Sequence, residues 1–363
     1  MADLNPETRY SLSSNRITGS LRPGIAFSSG IIVITLIALL VLVLLAFILS
    51  KTPGRTLYFF FAGPFLNTFS FGNMINNAIP LILGGLGVSI AMQTGNLNLG
   101  GEGQIYSGAL VATITATALA PLGYIGALLA VFAGAFFSGT LAAVSGFCKA
   151  WWNTNELITS FLLSHAVILI VNYLVNGPFL DTETNLQATG RIPAEFAFRR
   201  ILLPSNLSTA LFVALFAVIV THIFLRNMKL GYEFRMAGAN ETFARYGGIN
   251  TKRNTILAMF LSGSFYGLAG SMMIFGTFHR TIREFSSGLG WDGLATALVA
   301  GFYPVAVIPS GLFFAWISSG ARIAMQNSDI TFEVAYVVQA VILFLATSMV
   351  LRGLFLKKRG GGQ

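Results

Sequence analysis

The sequence predicts an all-α, polytopic membrane protein with about ten transmembrane segments, two of which are broken helices. Of its 363 residues, 55% are hydrophobic and only 10% are charged, and the mean hydropathy is +0.74. Few soluble domains contain so little charge. The apolar run at residues 31–49 exceeds the roughly 18 residues that a helix needs to cross a bilayer. Glycine is common, with 39 residues, as membrane helices allow.

Apolar runs follow one another along the chain, and each predicts one membrane segment. They lie at roughly 30–50, 74–94, 104–120, 123–147, 155–176, 206–226, 255–277, 287–302, 305–326 and 332–352. The first run follows a polar stretch of 29 residues and is too long for a signal peptide. We therefore expect it to be an uncleaved membrane span.

The distribution of basic residues predicts which side of the membrane each loop faces. Lysine and arginine occur in the N-terminal tail 1–29, in the loop 227–254 and in the C-terminal tail 354–363, and basic loops mark the cytoplasmic side. A topology of about ten crossings that begins inside places all three clusters inside. The loop 177–205 then lies outside, and residues 30–353 form the membrane domain.

Two glycine-rich polar stretches interrupt the apolar pattern, one in each half of the chain. The first is GNLNLGGEGQ at 95–104, and the second is SSGLGWDG at 286–293. Non-helical backbone at membrane depth is tolerated only where protein buries it or water lines it, and paired half-helices mark substrate sites in transporters. Each stretch places a carboxylate among glycines shortly before Ala-Leu-Val-Ala. This similarity indicates an inverted repeat, and chance similarity between glycine-rich membrane sequences explains it equally well.

The polar residues of these two stretches are candidates for a substrate path through the membrane. A carboxylate inside a membrane segment is a functional candidate by default. Carboxylates and asparagines also stabilise helix ends, through the helix dipole and through caps. The sequence leaves both roles open for Asn96, Asn98, Glu102, Gln104 and Asp292. The same logic predicts a capping box from Asn153 to Glu156.

Motifs for other kinds of chemistry are missing from the sequence. No P-loop pattern is present, so we expect this chain to bind no ATP by that motif. The three histidines are scattered and Cys148 is the single cysteine, which excludes a disulfide framework within the chain and leaves no metal-site spacing. The net charge of +9 comes from the loops and tails, without a nucleic-acid-binding motif. We therefore expect neither a metal nor a nucleic acid partner.

Basic residues on the predicted outer side have two interpretations. Long basic side chains commonly extend to the headgroups of membrane lipid. A set of them also suits a soluble partner of complementary charge. The candidates for such a docking rim are Arg191, Arg199, Arg280 and Arg283.

The loop 227–254 contains a short predicted helix at residues 241–246. An asparagine precedes it as a cap, and two glycines end it. A basic, capped helix between two spans suits a coupling element that docks into a cytoplasmic motor, and it also suits an interfacial amphipathic helix. The residues assigned to this element are Asn240, Glu241, Phe243, Arg245, Tyr246, Gly247 and Gly248.

Four stretches together resemble one known family. They are NLNLGGEGQIYSGAL at 96–110, NELITSFLL at 155–163, GANETFARYGGINTKRN at 238–254 and GLGWDGLATALVAG at 288–301. In content and order they are similar to the integral membrane permease of bacterial ABC importers of the ribose and branched-chain amino acid class. Within that class they resemble the nucleoside-type branch, which works with a basic-membrane-lipoprotein-like binding protein.

This resemblance implies a transport subunit rather than an enzyme. Two permease subunits, a heterodimer rather than a homodimer, would form the path for a nucleoside-like solute in the bacterial cytoplasmic (inner) membrane, with both termini cytoplasmic. Two ATPase subunits would hold ATP and magnesium and bind the coupling helix. A periplasmic or lipoprotein solute-binding protein would deliver the solute outside.

The resemblance leaves other solutes open, namely riboflavin, a sugar or an amino acid. An ion-coupled secondary transporter is the alternative from another class. It is the weaker alternative, because the candidate carboxylates lie near predicted helix ends rather than in the middle of spans.

Overall fold

The computed structural model describes residues 36, 37, 39–48, 50–331, 333, 336, 337, 339–341, 343 and 344. Within these residues the protein is helical, with no strand and with three isolated β-bridges. The helices are, in chain order, α1 (Leu39–Ile48), α2 (Pro53–Phe61), α3 (Thr68–Gln93), α4 (Gly101–Ala118), α5 (Tyr124–Trp152), α6 (Glu156–Asn176), α7 (Ala210–Asn227), α8 (Lys229–Ala239), α9 (Glu241–Tyr246), α10 (Thr251–Met273), α11 (Leu289–Val299) and α12 (Val307–Asn327). A π-helical turn, Ile274–Phe278, extends α10.

Six of the described helices are long and apolar enough to cross a membrane, namely α3, α5, α6, α7, α10 with its π turn, and α12. α11 is apolar but has 11 residues, so it spans about 16 Å, or half of the roughly 30 Å hydrocarbon core. Most of the predicted segment 332–352 and both predicted tails, 1–29 and 354–363, lie outside the described residues.

The helix boundaries correct two local predictions. α3 begins at Thr68 rather than at residue 74, because Asn67 caps it by accepting a hydrogen bond from Ser70 N (2.7 Å). The capping box predicted at Asn153 is wrong, since Asn153 ends α5 in the left-handed conformation. The Asn155 side chain caps α6 instead, because it accepts a hydrogen bond from the backbone N–H two residues further along the chain.

α3 is the central helix of the bundle. It packs against α7, α10, α11 and α12, and its side chains are buried on every face from Ala78 to Ala91. A helix that is apolar all round belongs in the interior of a bundle. The end of α3 therefore delivers the first glycine-rich stretch into protein rather than into lipid.

Small residues bring α4, α5 and α10 into backbone contact. A Cβ atom added at Gly267 would lie 2.6 Å from the carbonyl oxygen of Gly134 and 2.6 Å from the Cβ of Ser138. A Cβ added at Gly108 would lie 2.5 Å from the Cα of Gly267. Close approach of this kind maximises van der Waals contact between membrane helices. The crossing fixes α4 and α10 beside each other.

The two long loops lie at opposite ends of the bundle. Residues 177–209, which we call the loop cap, fold over the end of α10: Thr189 N donates to the Thr281 carbonyl (2.9 Å), and Ile192 N donates to the His279 carbonyl (2.9 Å). At the other end α8 follows α7, and Gly238 packs against the Gln93 carbonyl at the end of α3. The two loops are therefore separated by the length of the bundle.

Candidate functional site

The first glycine-rich stretch is non-helical at 94–100 and is held by its own amide side chains. The Asn98 amide group donates to Gln104 Oε1 (2.8 Å) and to Ser262 Oγ (3.0 Å). The Asn98 oxygen accepts from Gly100 N (2.9 Å) and from Gln104 Nε2 (3.1 Å). Both polar atoms of the Asn98 side chain are therefore engaged, and Asn98 and Gln104 shape the stretch.

Asn96 differs from its neighbours because part of its amide is unused. Its Nδ2 donates to Thr94 Oγ1 (2.6 Å), while its buried Oδ1 has no hydrogen-bond partner in the described part of the chain. A buried acceptor without a donor costs about 1–3 kcal/mol. This oxygen is thus a buried polar atom without a partner inside the first glycine-rich stretch.

Glu102 joins the two interrupted stretches. It lies in the first turn of α4, and its Oε1 and Oε2 accept hydrogen bonds from Gly288 N (3.0 Å) and Gly290 N (2.8 Å). These two amides lie at the start of α11, so the carboxylate caps the opposite half-helix. A side chain at Gly290 would overlap the backbone of Glu102, so glycine is needed for the approach. Two helix N-termini, both with positive partial charge, meet at one carboxylate.

This meeting point lies in the middle of the bundle. Tyr266 Oη donates to the Gly290 carbonyl (3.2 Å), and Tyr266 stands fifteen residues after Thr251 and twelve before Phe278. At 1.5 Å per residue, these separations correspond to about 22 Å and about 18 Å along the helix. The polar groups of both stretches therefore lie near the centre of the membrane-spanning helices.

Two serines of α6 hold the first stretch from the side, and sequence reasoning missed them. Leu99 N donates to Ser160 Oγ (3.1 Å), and Gly103 N donates to Ser164 Oγ (2.8 Å). The signal was present, because two serines four residues apart lie on one face of an otherwise apolar helix.

Asp292 lies in the first turn of α11 and is partly exposed. Within the described residues its carboxylate has no hydrogen-bond or ion-pair partner. Glu102 is occupied by main-chain amides, whereas Asp292 is available to a ligand. No group of three or more His, Cys, Asp or Glu lies together in the described chain.

The short helix predicted at 241–246 is present as α9. Asn240 Oδ1 accepts from Phe243 N (3.0 Å) and caps it, and Arg245 pairs with Glu241 and donates to Thr251 Oγ1 (3.1 Å). The ring of Phe243 is 63% exposed and that of Tyr246 is 89% exposed. Gly247 ends the helix, and Gly248 follows with φ of 80°, a conformation that suits glycine. The helix therefore presents two aromatic rings outward.

Comparison with known proteins places the chain in a family. The family described as "Branched-chain amino acid transport system / permease component" matches residues 70–347, a region that contains both glycine-rich stretches and α9. The chain belongs to this permease family. With six span-length helices, the permease is a multi-pass membrane protein and a transport subunit.

Three relatives indicate the range of this family. The permease is 32% identical over 303 residues to the "Probable riboflavin import permease protein" of Treponema pallidum, which covers 82% of this chain and 80% of the relative. It is 31% identical over 307 residues to the "Guanosine ABC transporter permease protein" of Bacillus subtilis, with coverages of 82% and 87%. It is 32% identical over 301 residues to the "Glucose ABC transporter permease protein" of Haloferax volcanii, with 77% of each covered. No solved structure matches the permease.

The four arginines predicted on the outer side of the permease all lie at the loop-cap end. Arg280 is only 5% exposed, pairs with Asp181 (3.4 Å) and anchors the loop cap from below. Arg283 is exposed and donates to Gln187 Oε1 (2.9 Å). Arg191 and Arg199 are exposed. This end therefore exposes Arg191 and Arg199, and it exposes Arg283 paired with Glu284 (3.3 Å).

Proposed function

We propose that the permease is the membrane subunit of an ABC importer and forms the path of a nucleoside-like solute. One observation carries this proposal: the N-termini of α4 and α11 meet in the middle of the bundle and are joined by Glu102. Half-helix N-termini at mid-membrane bind polar solute groups in transporters. The proposal places the solute at this centre.

The architecture that accompanies this function has about ten membrane segments. Residues 94–100 return to the centre from the α8 end, and residues 279–288 return from the loop cap. Because the two returns come from opposite ends, they support two broken helices in an inverted repeat. The permease would lie in the inner membrane of a bacterium. Its cytoplasmic parts would be the tails 1–29 and 354–363 and the loop 227–254.

The path residues divide into two roles. Three of them, Asn98, Glu102 and Gln104, stabilise the non-helical segments 94–100 and 279–288 through the bonds described above. Asn96 and Asp292 retain oxygen atoms without partners among the described residues, and these atoms contact the solute. The proposal thus assigns the two roles that the sequence left open to different residues.

The side chains exposed at each end of the bundle support a different partner for each end. α9 docks into an ABC ATPase, which holds ATP and magnesium, and its exposed Phe243 and Tyr246 are the contact. The exposed arginines of the loop-cap end bind a periplasmic or lipoprotein solute-binding protein of opposite charge. A second, different permease subunit completes the path.

The proposed solute class rests on the relatives. Their names include a guanosine permease and a riboflavin permease, whose solutes both contain a flat heterocyclic ring. The glucose permease at 32% identity supports a sugar as the second candidate solute.

Uptake by the reconstituted transporter tests the function. Vesicles that contain the permease, its ATPase and its binding protein should accumulate labelled guanosine only when ATP is supplied. An ionophore should leave this uptake unchanged. Uptake that persists without ATP and collapses with the ionophore would replace the ABC importer by an ion-coupled secondary transporter.

A further inference from the structure

A small aromatic cluster opens onto the bundle surface beside the meeting point of α4 and α11. Trp291, in the first turn of α11, is 41% exposed. Its ring centroid lies 6.2 Å from that of Phe161 on α6, edge to face, and the Phe161 ring lies 4.3 Å from the ring of His165. We call Phe161, His165 and Trp291 the ring cluster.

The ring cluster lies at mid-depth in the membrane-spanning helices. His165 is the tenth of the 21 residues of α6, and Trp291 follows Gly290, which is bonded to Glu102 at the centre. An exposed imidazole and an adjacent carboxylate, Asp292, are costly against hydrocarbon, and such groups face a bundle interior or a water-filled cavity. These two polar groups favour a water-lined path over lipid at this part of the exposed surface.

Position separates Trp291 from the other exposed tryptophans. Trp151 and Trp152 are exposed at the end of α5, where aromatic residues ordinarily mark the membrane interface. Trp291 is far from such an interface, and within the described residues its indole N–H has no acceptor. Neither interface anchoring nor core packing accounts for its place.

We infer that the ring cluster and Asp292 bind the flat heteroaromatic ring of the solute, an inference that rests on the proposed function. Aromatic side chains stack on planar rings of any base. Carboxylate oxygens accept hydrogen bonds, so Asp292 suits a ring or ribose with N–H or O–H donors. A purine nucleoside satisfies both conditions, whereas glucose has no planar ring to stack.

Substitution of Trp291 tests the inference in vesicles that contain the whole transporter. Trp291→Ala should raise the KM for labelled guanosine about tenfold, the scale of one lost base–aromatic stack, while Trp291→Phe should restore most of the affinity. Asp292→Asn should also raise this KM. The matched control is Trp152→Ala, which removes an exposed tryptophan outside the centre and should leave the KM unchanged.

The outcomes separate the inference from the proposed function. An unchanged guanosine KM in Trp291→Ala, or ATP-driven uptake of glucose without uptake of guanosine or riboflavin, overturns the ring site and keeps the ABC importer. Loss of ATP dependence in the unmodified transporter overturns the function itself. If Trp291→Ala fails to reach the membrane, quenching of tryptophan fluorescence by added riboflavin replaces the uptake measurement. Riboflavin should quench the fluorescence of the unmodified transporter more than that of Trp291→Phe. Equal quenching of the two rejects the site.

Discussion

At the residue scale, Glu102 shows how one side chain can join two distant parts of the chain. Its two oxygens cap α11 although the residue belongs to α4. Charge-assisted bonds to main-chain amides are roughly twice as strong as neutral ones. The carboxylate also offsets the positive ends of two helices in a low-dielectric interior.

We predict that Glu102→Gln destabilises the permease and impairs transport. Glutamine supplies one acceptor oxygen in place of two, so one buried amide of α11 loses its bond, at about 1–3 kcal/mol. The thermal unfolding temperature of the purified permease and the uptake rate should both fall. Glu183→Gln, at an exposed site of the loop cap, is the control, and a Glu102→Gln variant that matches it would contradict the capping role.

His279 predicts how stability at the loop-cap end depends on pH. Burial lowers its pKa, and the guanidinium groups of Arg200 and Arg191 lower it further. The folded protein therefore resists a proton that the unfolded chain takes up near pH 6.5, so the unfolded state binds more protons and stability falls as the pH falls below about 6.5. Above that pH this contribution is complete.

Thermal unfolding measured between about pH 7.5 and about pH 5.5 checks this prediction. The loss of stability at the acid end should be smaller in His279→Asn, which removes the titrating group. Asparagine also tolerates the left-handed φ of 57° at this position. Equal losses in the variant and in the unmodified permease would assign the pH dependence to other groups.

The residues that the sequence could not assign are those whose partners lie far along the chain. Glu102 was recognised as a candidate, but its partners are main-chain amides 186 and 188 residues away, which carry no side-chain signal. Arg280 is buried because Asp181, 99 residues away, pairs with it. In contrast, the local Asn240 cap was predicted correctly, because its partner is three residues away.

At the element scale, α9 was fully predictable because its signals are local. Its cap, its ion pair and its terminal glycines all lie within eight residues of Asn240. The six span-length helices follow equally from apolar composition. α4, with 18 residues, and α11, with 11 residues, begin at contacts across the bundle, so their bounds required the structure.

We predict that Tyr246→Ala weakens binding of the ATPase without destabilising the permease. The ring is 89% exposed, so its loss removes little internal packing but removes an aromatic anchor, a residue type that dominates interfaces. Copurification of the ATPase should fall while the unfolding temperature stays unchanged. Tyr232→Ala, at a 52% exposed tyrosine of α8, is the control. Equal copurification in both variants would place the contact elsewhere.

We predict that Gly267→Ala destabilises the bundle by about 1–3 kcal/mol, the usual cost of overpacking. The added methyl group meets the Gly134 carbonyl and Ser138 at 2.6 Å, so α5 and α10 must separate. Gly190→Ala is the control, because nothing lies within 4 Å of a Cβ there. Thermal unfolding in detergent measures both, and equal temperatures would show that the crossing of α5 and α10 is loosely packed.

At the scale of the whole molecule, the permease joins a central site to two different ends. One end presents exposed aromatics on α9, and the other presents exposed arginines around the loop cap. The charge pattern of the sequence predicts that these two ends face opposite sides of the membrane. It could not predict which outer arginine is buried, because burial depends on how the loop cap folds.

The bond between Glu102 and the start of α11 has a mechanical consequence for the whole permease. Because Glu102 of α4 bonds two amides at the start of α11, the two helix starts are joined, and a movement of one is transmitted to the other. In the proposed importer, the movements that open the path to either side would then take place around this joined pair. A compound bound against the contact between α4 and α11 would block opening to both sides.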